Sequence, residues 1–134
     1  MPARYALDDL APLVELEMRF EFRAEHALKL TDGSEEERHF HTYLLIVHVT
    51  RPLDRLGFTI ENRALEQIVH LHAISELRGA WLHDIIEQPT MERLAVWVWE
   101  RLEEPLRGLS AVSVSEQKEH GAIATYRRMR RRPE

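Results

Sequence analysis

The chain has 134 residues, 44% hydrophobic and 31% charged, with a formal net charge of −5 and no cysteine. That length carries one domain with a real core, and the composition excludes a disordered chain. The missing cysteines exclude disulfides, thiolate ligands and a cysteine nucleophile, while the acidic balance argues against a nucleic-acid surface.

The N-terminal residues 1–12 read as an extension without a sustained apolar segment or a small-residue cleavage site, so no secretory signal is expected. No apolar run reaches membrane-span length, and a cytoplasmic location is expected. From Val14 to His26 the even positions are Val14, Leu16, Met18, Phe20, Phe22, Ala24 and His26, and every position between them is charged. Period-two alternation of this kind predicts a strand with one apolar face, closed by His26. An acidic loop from Asp32 to Glu37 follows. The second predicted strand starts at His39 and ends near Thr50, because Pro52 cannot donate to a ladder. His39 and His41 share a side with Tyr43, Leu45, Val47 and Val49. His26, His39 and His41 thus gather at one end of two paired strands, as a tridentate metal site with an open fourth position or as histidines in ordinary hydrogen bonds.

Residues 57–60 suggest a short third strand, and residues 61–77 a helix whose Leu65, Ile68, Val69 and His72 form a buried stripe. Pro89 and Thr90 open a second helix, with Thr90 as its N-cap and Glu92 in its first turn. Met91, Leu94, Ala95, Val98 and Leu102 supply its apolar stripe, widened by Trp97 and Trp99. Pro105 and Gly108 end it, and strands are expected over 109–116 and 122–127. The last seven residues, 128–134, form a basic tail that reads as a solvated extension or a docking patch. Segregated strands and helices give an α+β domain: an antiparallel sheet with two helices on one face.

Five motifs stand in order along the chain. Phe22-Arg-Ala-Glu-His26-Ala-Leu28 resembles Phe-x-Ala-x-His-x-Leu, and His39-Phe-His41-Thr-Tyr43 resembles His-Gly-His-Asn-Tyr. Gly57 to Glu61 stands at Gly-x-x-x-Asp-Phe, Pro89 to Ala95 resembles Pro-Thr-x-Glu-Asn-Leu-Ala, and Val114-Ser-Glu116 with Tyr126 resembles a closing Val-x-Glu-Thr and tyrosine. Together they resemble the family of 6-pyruvoyl tetrahydropterin synthase and 6-carboxytetrahydropterin synthase. The resemblance implies a tunnelling fold, a four-stranded antiparallel sheet with two helices, closing into rings of three that stack as a homohexamer. It implies Zn2+ held by His26, His39 and His41, a reduced pterin-like substrate, and Glu116 with Thr90 orienting the ring.

The family's catalytic cysteine falls on Glu35, and its catalytic aspartate and histidine fall on Arg78 and Gly79. Glu35 to Glu37 are then a solvated acidic loop or, with Glu35 in place of the cysteine, the source of the general base, and His83 is a loop histidine without function or a displaced imidazole. The resemblance then points to a zinc-dependent lyase with chemistry differing from the usual synthase reaction. The alternatives are an inactive zinc- and pterin-binding or scaffold protein, and a domain of this fold with neither metal nor pterin.

Overall fold

A computed structural model describes residues 12–128. β1 (Leu13–His26) and β2 (His39–Pro52) form one long antiparallel hairpin, in register from Leu13 opposite Pro52 to His26 opposite His39. α1 (Asn62–Val69) passes through a π-helical stretch (His70–Ile74) into the short α2 (Ser75–Leu77). A 3-10 turn (Leu82–Asp84) leads to α3 (Met91–Leu102), and β3 (Leu109–Glu116) and β4 (Ile123–Tyr126) complete the sheet. Strand order is β1-β2-β3-β4 and every pairing is antiparallel. This is the α+β architecture expected from the sequence.

Alternation decides which face is covered. Phe20, Phe22 and Ala24 of β1 and Tyr43, Leu45, Val47 and Val49 of β2 are buried beneath the helices, with Leu65, Val69, Ile74 and Leu77 packed over them. α3 adds Leu94, Val98, Trp99 and Leu102. Each such aliphatic or aromatic side chain contributes roughly 1.5–3 kcal/mol on burial. Thr90 caps α3 as expected, its hydroxyl accepting from Arg93 N–H at 3.1 Å.

Two expectations are corrected. Residues 57–60 are not a strand: Asp54 Oδ1 accepts from the backbone N–H of Leu56 and Phe58, both at 2.9 Å, and folds the segment into a turn. Gly57, at φ 92°, supplies the left-handed residue this turn needs. His72 is only half-buried, because the π-helical stretch takes extra residues per turn and rotates the buried stripe onto Ala73 and Ile74. The N-terminal extension up to residue 11 and residues 129–134 of the basic tail lie outside the described residues.

Candidate metal centre

The hairpin places the three histidines. His26 ends β1 and faces His39, the first residue of β2, while His41 is two residues further on the same side. Nε2 of His26 is 3.1 Å from Nε2 of His39, which is 2.7 Å from Nε2 of His41. His26 is buried at 1% exposure, and the other two are half-buried.

The other ring nitrogens settle which atoms carry protons. His26 Nδ1 lies 3.2 Å from the Pro89 carbonyl and His39 Nδ1 lies 2.6 Å from the Glu37 carbonyl. A carbonyl can only accept, so both Nδ1 atoms are protonated and donating. Tyr43 Oη, 3.1 Å from His26 Nδ1, is a second acceptor for the same N–H. The Nε2 atoms of His26 and His39 therefore meet lone pair to lone pair, which a cation between them reconciles. Backbone carbonyls holding the far nitrogen of a ligand histidine are the usual outer support of a metal. Burial lowers the pKa of His26, with the Pro89 hydrogen bond acting against it, and burial also lowers that of His41. Both rings are thus held neutral, as metal ligands must be. Three nitrogen donors that leave a position open fit a divalent transition metal with room for a substrate oxygen.

Two carboxylates flank the triad. Glu116, at the end of β3 and opposite Tyr43, places Oε2 3.5 Å from His41 Nε2 and Oε1 3.9 Å from His26 Nε2. Lys118 Nζ holds Oε2 at 2.8 Å, and Glu116 in turn raises the pKa of Lys118. The second carboxylate is Glu36, whose Oε1 is 3.9 Å from His26 Nε2 and accepts from Leu28 N–H at 3.0 Å.

Glu35, the base expected from the sequence, stands elsewhere. Its side chain is 65% exposed and lies 3.8 Å from Lys29 Nζ. The loop between β1 and β2 folds back on itself, with Lys29 bridging Glu35 and Glu36 N–H donating to Leu28 O at 2.8 Å. In extended backbone, successive side chains point to opposite sides, so Glu36 turns inward and Glu35 outward. Arg78 and Gly79 also leave the triad: Arg78 lines a cleft with His70 and Glu66, and Gly79 N–H donates to Arg23 O. His83 is close, its Nε2 accepting from Ala27 N–H at 3.2 Å. Thr90 reaches the site through its neighbour, because capping α3 fixes the Pro89 carbonyl against His26. Sequence reasoning missed Pro89, Tyr43 and Glu36; the first two lie inside motifs already noticed, and Glu36 is one of three consecutive glutamates. A second group, Glu15, Glu17 and His48, lies on the opposite sheet face, where His48 Nδ1 is 2.9 Å from Glu15 and Nε2 3.1 Å from Ser113 Oγ.

A single antiparallel sheet that gathers three imidazoles and two carboxylates at one end of its helix-covered face defines the class: an α+β protein with a histidine cluster able to hold a metal ion. The family described as 6-pyruvoyl tetrahydropterin synthase matches residues 15–129, and the chain belongs to that family. A curated relative, the dihydroneopterin monophosphate aldolase of Pyrococcus furiosus, is 33% identical over 106 residues, spanning 77% of this chain and 90% of the relative. The Caenorhabditis elegans 6-pyruvoyl tetrahydropterin synthase structure superposes with a TM-score of 0.74 at 21% identity, covering 89% of this chain and 98% of that one. A Plasmodium vivax 6-pyruvoyltetrahydropterin synthase, solved as a variant with a catalytic glutamate replaced by alanine, gives a TM-score of 0.64 at 13% identity over 87% and 99% of the two chains. The last two likenesses establish the tunnelling fold. No helix among the described residues is long and apolar enough to cross a membrane.

Proposed function

We propose that this chain is a zinc-dependent lyase that cleaves the hydroxylated side chain of a reduced pterin, dihydroneopterin or its monophosphate. The observation that carries the proposal is the convergence of the Nε2 atoms of His26, His39 and His41, two of them stripped of their proton by backbone carbonyls. The aldolase relative supports the substrate class. Imidazole donors favour zinc over calcium or magnesium. Bound there, zinc supplies Lewis acidity that lowers the pKa of a side-chain hydroxyl and steadies charge developing on oxygen.

The remaining steps belong to the chain's own residues. Glu116 accepts the paired N–H donors of the pterin ring, a match between a carboxylate and two adjacent donors, and the Thr90 hydroxyl, whose oxygen is engaged by Arg93 N–H, has its own proton to give. Glu36 replaces Glu35 as the proposed base, since its carboxylate is the one beside the triad. It removes the proton from the C2′ hydroxyl. The C1′–C2′ bond then breaks, its electron pair passes into the ring's C6=N5 imine, and a two-carbon aldehyde departs. Glu36 returns its proton to C1′ and leaves a hydroxymethyl pterin. That a glutamate is the catalytic residue replaced in the Plasmodium vivax variant supports a carboxylate in this work.

The two open sheet edges, β1 and β4, support assembly into a ring and then a homohexamer, a dimer of trimers; a light-scattering mass of six chains tests it. For the reaction, zinc-loaded protein is incubated with dihydroneopterin, its monophosphate and its triphosphate. A hydroxymethyl pterin with one equivalent of glycolaldehyde, or of its phosphate, is expected. No turnover of any of the three at full zinc occupancy would overturn the lyase assignment and leave a pterin-binding protein.

A further inference from the structure

His83 and Trp81 lie outside the five motifs quoted above, yet they join the backbone on both sides of His26. After α2 the chain lays residues 79–81 along the end of β1: Gly79 N–H donates to Arg23 O at 2.7 Å, Glu25 N–H to Ala80 O at 2.9 Å, and Trp81 forms a parallel bridge with Glu25. His83 then turns back and accepts Ala27 N–H on Nε2 at 3.2 Å, so its ring proton resides on Nδ1. Residues 25 and 27, on either side of His26, are thereby both fixed by one short segment.

The same segment reaches the second strand. The Trp81 and His83 rings stack with centroids 4.5 Å apart and planes 24° apart. The Arg38 guanidinium lies 4.2 Å above the Trp81 ring and 2.7 Å from Glu25 Oε1. Arg38 immediately precedes His39. A column of His83, Trp81 and Arg38 therefore ties the flank of His26 to the flank of His39 at the loop end of the hairpin. A hairpin end held only by its turn frays, and the two rings there must hold their separation within a fraction of an ångström to share one ion.

We infer that His83, backed by Trp81 and Arg38, is a positioning residue for the metal centre: its hydrogen bond to Ala27 and its stack on Trp81 set the spacing of His26 and His39. The inference rests on the metal reading of the triad and is independent of the pterin chemistry. It is tested by zinc titration of the full chain against a chromophoric chelator and by the absorption spectrum of the cobalt(II)-substituted protein, with no pterin present. H83A is expected to bind zinc more weakly, by up to the roughly 10–100-fold that losing a direct hydrogen-bond partner of a ligand histidine costs, and to shift the cobalt bands. H83Q, whose amide oxygen can accept from Ala27 N–H, is expected to keep zinc affinity within about threefold of the parent, on the same scale. R38M, which leaves the histidine and the tryptophan in place, is expected to weaken zinc in the same direction by a smaller factor. H83A with parental zinc affinity and an unchanged cobalt spectrum would overturn the inference, whether or not its melting temperature fell. Parental protein that takes up no zinc would overturn the metal reading beneath it. Because no turnover is read, failure of the lyase assignment would not register in this experiment.

Discussion

Replacing Glu36 and Glu35 in parallel separates a base from a bystander. E36Q keeps an oxygen able to accept from Leu28 N–H, the contact now made at 3.0 Å, so the loop should hold its shape. What it loses is a carboxylate 3.9 Å from His26 Nε2 that can take and return a proton. General-base catalysis contributes about 10²–10⁴-fold, so kcat for pterin cleavage is expected to fall by that factor, about 3–5 kcal/mol of activation free energy. E35Q removes a carboxylate that is 65% exposed and 3.8 Å from a Lys29 side chain itself 77% exposed. Exposed pairs of this kind contribute less than about 1 kcal/mol to stability, and the carboxylate faces away from the triad, so kcat should stay within about twofold of the parent on that reasoning. The assay is steady-state formation of hydroxymethyl pterin at matched zinc content, with a thermal melt of each variant to confirm folding. A folded E36Q with parental kcat, or an E35Q as impaired as E36Q is expected to be, would refute the assignment.

Three further outcomes follow from the same geometry. Zinc at about 100 times its dissociation constant should stabilise the protein by about 2.7 kcal/mol, a rise of roughly 10 °C in Tm for a domain of this size; a chelator should reverse it, and an H39A variant should show no rise. Burial depresses His26 and His41 below the ordinary value of 6.5, so the unfolded chain binds more protons than the folded one as pH drops through and below that value. Metal-free protein should accordingly lose Tm as pH falls from 7.5 to 5.5, more steeply once zinc is bound and protons compete for the same nitrogens; a flat profile in both forms would contradict it. T90A should cost about 1 kcal/mol through loss of the α3 N-cap and should also weaken zinc, because Pro89 would no longer be fixed against His26; T90S should restore both, as measured by melting and by zinc titration.

The sequence shows most clearly what regular periodicity controls. The alternation from Val14 to His26 dictates a strand, and pairing that strand with the run from His39 lets the three imidazoles meet at one end without any loop being known. Thr90 is legible as a cap because its neighbours read as a helix start. What escaped depends on backbone that alternation does not describe. Among Glu35, Glu36 and Glu37 the side-chain type is constant, so composition cannot rank them; the ranking comes from Lys29 pairing with Glu35 once the loop doubles back. In that extended stretch a shift of one residue reverses every side chain, which is why counting from the family's cysteine position gave the outward carboxylate. The burial expected of His72 is lost because a stripe counted at 3.6 residues per turn cannot anticipate the π-helical stretch over His70–Ile74, which moves the core positions onward. The Pro89 and Glu37 carbonyls left no mark in the sequence, because any residue has a carbonyl. Their placement nonetheless strips Nε2 of its proton on two rings, and that backbone contribution turns nearby histidines into donors able to hold a cation.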